Sequence, residues 1–271
     1  MILNFSKYHG AGNDFILIDN RVGEIELSQL QIAFLCNRHL GIGADGLMML
    51  NSSNKYDFEM RYFNSDGNES TMCGNGGRCI TAYAYHLGII GKTTSFNAID
   101  GLHTSEIIKV NGRTKTIRLQ MCKVKEIKQS DNYFIINTGS PHYVQFVENV
   151  EAMDIVTEGR KIRQDERFAP DGLNVNFVQI NKDHLFVRTY ERGVEDETLS
   201  CGTGVTAAAL AYAFDKDTAK VTIETKGGTL SVSFEKQNKT YQNIFLEGEA
   251  CFVFEGEIEI SDPLIFNLAI E

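Results

Sequence analysis

Proline is scarce in this chain, three in 271 residues, and no Pro-rich or Ser-rich stretch separates one part from another. A chain without such linkers is expected to pack its parts closely rather than swing them. Long apolar runs are also missing. The longest, such as Ile16–Ile18 and Leu47–Leu50, fall far short of the roughly 20 residues that span a bilayer. The opening residues 1–10 show no basic segment followed by an apolar one, so the expected location is the cytoplasm with no membrane partner. A basic surplus is lacking too: 36 acidic residues face 26 basic ones, a formal charge of −10. That argues against nucleic acid, which calls for a basic patch. It leaves room for a small anionic or zwitterionic ligand held by a local arginine or a helix N-terminus.

The six cysteines, at 36, 73, 79, 122, 201 and 251, contain no CxxC pair. Cys36 and His39 make one CxxH with no second pair at metal-ligand spacing, so no metal is expected. Nothing marks the chain as secreted, and with 42% apolar residues it can build a core without staples; reduced thiols are expected rather than disulfides. Cofactor signatures are equally sparse. No Lys-Ser/Thr follows either CGxG, and no lysine sits in a pyridoxal motif. Gly41-x-Gly43-x-x-Gly46 matches the dinucleotide fingerprint in letters, but it follows a helix and precedes a strand, the reverse of what that site requires. No cofactor is expected.

What is present is a repeat. Gly10 recurs as Gly139, Asp45-Gly46-Leu47 as Asp171-Gly172-Leu173, and Met60-Arg61-Tyr62-Phe63 as Val187-Arg188-Thr189-Tyr190. Cys73-Gly74-Asn75-Gly76 recurs as Cys201-Gly202-Thr203-Gly204, Gly101 as Gly228, and Ile117-x-Leu119 as Ile244-x-Leu246. Six matches in order, at offsets of 126 to 129 residues, indicate two homologous halves. Their expected extents are 1–121 and 122–258, followed by a tail, 259–271, that can return to the first half.

Within the first half, Ile2–Tyr8, Phe15–Ile18, Leu47–Leu50 and Phe58–Phe63 read as strands. Ser28–Leu40 reads as a helix with Ser28 as its N-cap and Leu30, Ala33 and Phe34 on its apolar side. Cys79–Leu87 reads as a helix, apolar nearly all round, and three or more strands follow it through Met121. Val205–Phe214 is its counterpart, and a helix with so little polar face is expected to be buried. The expected class is α/β (α+β): two pseudo-symmetric halves, each a curved, mainly antiparallel sheet or barrel around a central buried helix.

Each Cys-Gly-x-Gly stands just before such a helix, with Ser70 or Thr71, and Ser200, where N-caps belong. The helix dipole and unpaired first-turn amides favour thiolate, and the glycines let a carboxylate approach those amides. A lone cysteine is by default a small buried hydrophobe, which is how Cys36, Cys79, Cys122 and Cys251 are read. Cys73 and Cys201 occupy one repeat position, so they are read as a functional pair reaching one carbon from opposite sides. One thiolate takes the Cα proton, the other thiol returns one to the opposite face, and helix amides stabilise the enolate-like charge. Glu191-Arg192, ten residues before Cys201 and equivalent to Asn64 before Cys73, is the accompanying ligand contact.

These residues resemble the diaminopimelate epimerase family across essentially the whole chain. The matching stretches are HGAGNDF at 9–15, NRHLGIGAD at 37–45, FNSDG at 63–67, MCGNGGRC at 72–79, PH at 141–142, NVNF at 174–177, YERG at 190–193 and SCGTG at 200–204. The resemblance implies a cytoplasmic isomerase that interconverts LL- and meso-2,6-diaminopimelate without pyridoxal phosphate or metal, for lysine and peptidoglycan synthesis. It implies Cys73 and Cys201 as the base/acid pair. Gly74, Asn75, Gly202 and Thr203 would hold the reacting carboxylate by backbone amides. Asn13, Asn64, Asn174, Glu191 and Arg192 would hold the amino groups and the distal centre, while His142 and Glu191 would tune the thiol pKa values. The expected partner is a small diamino dicarboxylic acid; a homodimer is left open.

Two positions depart from the pattern: Gly46, where some relatives carry Gln, and Ser140, where many carry Asn. Proline-type racemases usually have Cys-Gly-His at the first cysteine, and phenazine-pathway isomerases replace that cysteine with an acid, so both fit less well. The alternatives are an epimerase of the same fold acting on another amino acid, or a non-catalytic amino-acid-binding or thiol-redox protein.

Overall fold

The computed structural model describes residues 1–260, and the chain divides into two compact units. In the first, β1 (Ile2–Gly10), β2 (Asn13–Asn20), α1 (Gln29–Cys36), β3 (Gly46–Asn51), β4 (Phe58–Asn64) and β5 (Glu69–Ser70) precede α2 (Gly74–His86). Strands β6 (Thr93–Ala98), β7 (Gly101–Asn111) and β8 (Thr114–Gln120) follow it. In the second unit come β9 (Ile127–Gln129), β10 (Phe134–Asn137), β11 (Pro141–Val147), α3 (Ile155–Arg163), β12 (Asn174–Ile180), β13 (Leu185–Glu191) and β14 (Asp196–Thr198). Then follow α4 (Gly202–Tyr212), β15 (Thr218–Thr225), β16 (Gly228–Gln237) and β17 (Thr240–Glu259). From β10 onward the second unit repeats the element order of the first.

The pairing repeats as well. In the first unit β1–β2 and β3–β4 are antiparallel while β2–β3 and β4–β6 are parallel. In the second, β10–β11 and β12–β13 are antiparallel while β11–β12 and β13–β15 are parallel. Even an ion pair recurs: Arg61 of β4 grips Glu69 of β5 at 2.9 Å, and Arg188 of β13 grips Glu197 of β14 at 2.6 Å.

The first unit closes on itself. Strands β6, β7 and β8 continue antiparallel, β8 pairs with residues 249–251 of β17, and β17 then runs antiparallel to β1 from His9 to Ile2. Closure removes the sheet edges, and α2 fills the interior, packed on β1, β2, β3 and β7. In the second unit α4 packs in the same way on β10–β13, β15 and β16. Every residue of α2 from Gly74 to Ala84 is buried, and all of α4 to Ala211 except Thr203. Small residues make this close wrapping easier: Gly74, Gly76, Gly77, Ala82 and Ala84 in α2, and Gly202, Gly204 and Ala207–Ala209 in α4.

A second layer lies outside each sheet. Helix α1 packs Ile32 and Leu35 with Ile16, Ile18, Leu47 and Met49, and α3 packs Ile155 with Tyr143, Val175, Phe177 and Tyr190. Strands covered on both faces carry continuous apolar runs instead of alternation. That accounts for Phe15–Ile18 and Leu47–Leu50, all buried.

Several sequence expectations need correction. Ser28 does cap α1, in a capping box with Gln31, but the buried residues are Gln31, Ile32, Leu35 and Cys36; Leu30 is exposed. The helix stops at Cys36, because the Asn37 side chain accepts from the His39 and Leu40 amides and turns the chain. Cys36 and Cys79 are buried as read, whereas Cys122 is exposed in the segment after β8 and Cys251 is half-buried on β17. The unit boundary falls between Leu119 and Gln120, close to the expected 121/122. Residues 249–258, assigned by the repeat to the second half, belong to the first unit, because the latter part of β17 finds its hydrogen-bond partners on β8 and β1. Of the tail, Glu259 pairs with Ile2, and Ile260 is buried in the α1 core; the rest of the tail lies outside the described residues. Among the described residues no helix is long and apolar enough to cross a membrane.

Candidate active site

Strand β5 delivers the chain to Cys73, whose extended backbone (φ −98°, ψ 145°) makes it the N-cap of α2. The cap is therefore the cysteine itself, not Ser70 or Thr71 as expected. Its Sγ accepts the Gly76 N–H at 3.2 Å, one of the first-turn amides that have no helical acceptor. An N–H aimed at sulfur favours thiolate.

Asn13, at the start of β2, faces this cysteine with Oδ1 3.7 Å from Sγ. The amide orientation is forced from behind: Asn13 Nδ2 donates to Asp45 Oδ2 at 2.6 Å, and a carboxylate can only accept. Arg38 holds Asp45 at 2.7 Å and grips Asp14 with two bonds of 2.7 and 3.0 Å. Lys7, buried on β1, pairs with Asp14 at 2.8 Å. Burial alone raises the Asp14 pKa, but the bonds and charges of Arg38 and Lys7 outweigh it and hold the carboxyl well below the usual range. Asn75 is almost wholly buried and its side chain is fully engaged, Nδ2 donating to Asn13 and Oδ1 accepting from Arg78. The Asn75 side chain is thus spent within this end of α2, and only its backbone is left to it. Asn64 ends β4, exposed and opposite Gly46. The departure at Gly46 has a steric cause. A Cβ there would stand 2.6 Å from both the Tyr62 ring and the Phe63 carbonyl.

In the second unit Cys201 caps α4 (φ −119°, ψ 113°), again displacing the expected serine, here Ser200. No amide of α4 caps through its sulfur; Sγ lies 3.4 Å from Thr203 Oγ1. His142 on β11 is fully buried. Asn176 takes the Thr189 hydroxyl on Oδ1 (2.9 Å), so its Nδ2 is the donor to His142 Nδ1 at 3.1 Å. The ring proton is thereby assigned to Nε2. Burial, helped by the Arg192 charge, pushes the His142 pKa down to about 3. A neutral imidazole supplies no fixed positive charge, so any influence of His142 on a thiol runs through its Nε2–H. Asn174 is nearly buried and spent on structure: Nδ2 donates to Ser140 Oγ at 2.8 Å, and Oδ1 accepts the Arg192 N–H at 2.8 Å. It clamps the β10–β11 turn to the end of β13, where Glu191 and Arg192 stand. Ser140, the second departure, thus serves as the acceptor for that clamp.

Sequence reasoning missed the residues behind these contacts. Asp14, Arg38 and Asp45 aim Asn13, Asn176 sets the His142 tautomer, and Thr138 Oγ1 holds the Thr203 carbonyl at 2.9 Å. Asn176 had a readable signal, since it lies two residues from Asn174 on the same strand face.

A family model for diaminopimelate epimerase matches residues 5–126 and 134–253. The chain belongs to the diaminopimelate epimerase family. The diaminopimelate epimerase of Flavobacterium psychrophilum is 51% identical over 259 residues, covering 93% of this chain and 98% of that one. The diaminopimelate epimerase of Chlorobaculum tepidum is 44% identical, covering 93% and 99%. Among solved structures, a phenazine biosynthesis protein of the PhzF family from Bacillus anthracis superposes with a TM-score of 0.78 at 17% identity, covering 96% of this chain and 100% of that one. A hydroxyproline epimerase from Agrobacterium vitis gives 0.72 at 15%, covering 97% and 94%. Identities that low establish a shared fold only, an antiparallel-sheet or barrel fold common to these proteins.

Proposed function

We propose that this chain interconverts LL- and meso-2,6-diaminopimelate in the cytoplasm, without cofactor, with Cys73 and Cys201 as thiolate base and thiol acid. The observation that carries the reading is the recurrence of one device, a cysteine N-cap on a fully wrapped helix, at the same place in both units. In one direction the Cys73 thiolate takes the Cα proton and becomes a thiol. The electron pair moves into the carboxylate as enolate, and Cys201 gives its proton to the opposite face and is left as thiolate. The reverse reaction exchanges the roles. First-turn amides of Gly74, Asn75, Gly202 and Thr203 suit the carboxylate on which charge builds. Asn13, Asn64, Glu191 and Arg192 serve the amino groups and the distal centre, with Asn174 holding the Arg192 backbone in place. The same reading makes the two units copies of one ancestral repeat.

The test is an assay of LL-diaminopimelate against a panel of L-amino acids, run in deuterated water. Diaminopimelate alone is expected to turn over. The meso product is expected to carry solvent deuterium at the inverted carbon while LL-substrate recovered early stays protiated, because the group that donates is not the one that abstracted. Substrate hydrogen returned to product would mean a single base.

Arg192 offers a planar fork for a distal carboxylate. Arg192→Lys cannot reproduce it and is expected to raise KM for diaminopimelate about tenfold, the equivalent of one lost charge-assisted hydrogen bond. Unchanged kinetic constants would remove Arg192 from the site.

A further inference from the structure

We propose that Arg78 is the counter-charge that makes Cys73 the resting thiolate of the pair and leaves Cys201 the resting thiol; this rests on the two cysteines being the acid/base pair. Arg78 is a positioning residue in this scheme, acting through Cys73.

Arg78 lies on α2, five residues after Cys73, and is completely buried. Its Nη1 donates to the Gly74 carbonyl at 3.1 Å and its Nη2 to Asn75 Oδ1 at 2.7 Å, which hold the guanidinium at the first turn of the helix. Its Nε has no hydrogen-bond partner among the described residues, and no acidic side chain there pairs with it. Room for it comes from Gly10: a Cβ at that position would stand 3.3 Å from Nη2 and 3.1 Å from the Asn75 carbonyl. An arginine remains protonated even when buried, and an unpaired buried ion is strongly unfavourable. A chain that keeps one there has an anion for it.

The ionisable side chains beside Arg78 are Cys79, the next residue of α2, and Cys73, the N-cap directly before the Gly74 and Asn75 that hold the guanidinium. Cys79 is wholly buried and its thiol is pushed far up by burial, so it stays protonated. Cys73 is half-buried and its sulfur already accepts an N–H. The other charged groups of this unit near the end of α2 are matched. Lys7 on β1, Asp14 on β2, Arg38 and Asp45 form one ionic cluster, and Asp100, which accepts the Met72 N–H, pairs with His103 of β7. The other titratable groups on the strands packed against α2 are Tyr8 and His9 of β1, Asp19 of β2, and Glu106 and Lys109 of β7, with Cys251 on β17.

The repeat supplies the control. The residue equivalent to Arg78 in the second unit is Thr206, whose Oγ1 donates to the Gly202 carbonyl at 2.8 Å. It occupies the same helix position and bonds the same first-turn carbonyl, but carries no charge. Thr206 thus puts no charge beside the first turn of α4, and that difference makes Cys73 the more acidic thiol.

The experiment measures, on the full chain without substrate, how the rate of iodoacetamide alkylation at each cysteine depends on pH, resolved by peptide mass spectrometry. Wild type is expected to alkylate Cys73 with the lower apparent pKa. Arg78→Met, which keeps the apolar volume, is expected to slow Cys73 alkylation at neutral pH about tenfold, one unit of pKa, without moving the Cys201 profile. Arg78→Lys should restore part of the rate. An unchanged Cys73 profile in folded Arg78→Met would overturn the proposal. Should that variant not fold, thiolate absorbance in Cys73→Ser and Cys201→Ser decides: Cys201 titrating at or below Cys73 would overturn it equally. None of these readouts needs turnover, so a failed epimerase assay and a failed Arg78 assignment are separate results.

Discussion

Cys73→Ala and Cys201→Ala are each expected to lower kcat for epimerisation by a thousandfold or more, with little change in KM. Removing a positioned general acid or base forfeits about 10² to 10⁴ in rate, and here no second group at the helix cap can substitute. Asn13 Oδ1 beside Cys73 and the Thr203 hydroxyl beside Cys201 are too weakly basic to take a Cα proton. The double variant should be hardly worse than either single one, because the two thiols act as a unit and each alone is idle in inversion. Additive losses, or a single variant that keeps a tenth of the wild-type rate, would sink the two-thiol mechanism. Stability should change little in either variant, because a thiol is a weak hydrogen-bonding group.

Asp14→Asn is expected to be the most damaging single change to the first unit, lowering unfolding free energy by about 3–5 kcal/mol, the usual cost of stripping the partner from a buried ion. The side chains are 8% exposed for Lys7 and 18% for Asp14. Lys7 keeps its bond to the Gly43 carbonyl, but its charge loses compensation, and Arg38 loses its two-bond grip on the carboxylate. The pH dependence has a definite sign. The folded Asp14 pKa lies below its ordinary value, so its contribution is complete above about pH 4 and is lost as pH falls below that toward the folded value. Urea midpoints between pH 7 and pH 2.5 check this: wild type should lose stability on the acid side more steeply than Asp14→Asn. A shift under about 1 kcal/mol at pH 7 would place the pair among ordinary surface ion pairs. Activity should fall as well, because Arg38 also holds the Asp45 that aims Asn13.

The limits of sequence reading show in how site residues divide. Cys73 and Cys201 were legible because the same four-residue pattern precedes an apolar helix twice. Asn174 was legible as a position, but its side chain is consumed by Ser140 and the Arg192 N–H, distant in the chain; Asn75, expected to act through its backbone amide, has its side chain taken by Asn13 and Arg78. Arg78 sits in plain view in the MCGNGGRC stretch, yet nothing local says that its guanidinium is sealed inside a barrel. Leu30 was placed on the buried side of α1 from its spacing, whereas Ile32, Leu35 and Cys36 face the core. A short helix with apolar residues on several sides does not reveal which side the sheet will cover.

What the sequence determined by itself was the repeat, the two wrapped helices, the cysteine pair and the family. All of these are written in short windows, as periodicity, glycine spacing and motif identity, and survive without knowledge of what packs against them. What the tertiary structure alone decided was closure and charge. Strand β17 gives its latter half to the first unit because β1 and β8, more than 100 residues earlier, present the open edges that it pairs with. Cysteine rather than serine caps each inner helix, and one of those caps has a buried guanidinium beside it while the other has a threonine. Those outcomes depend on burial and on pairing between residues far apart in the chain, where free energy turns on who is next to whom rather than on what comes next.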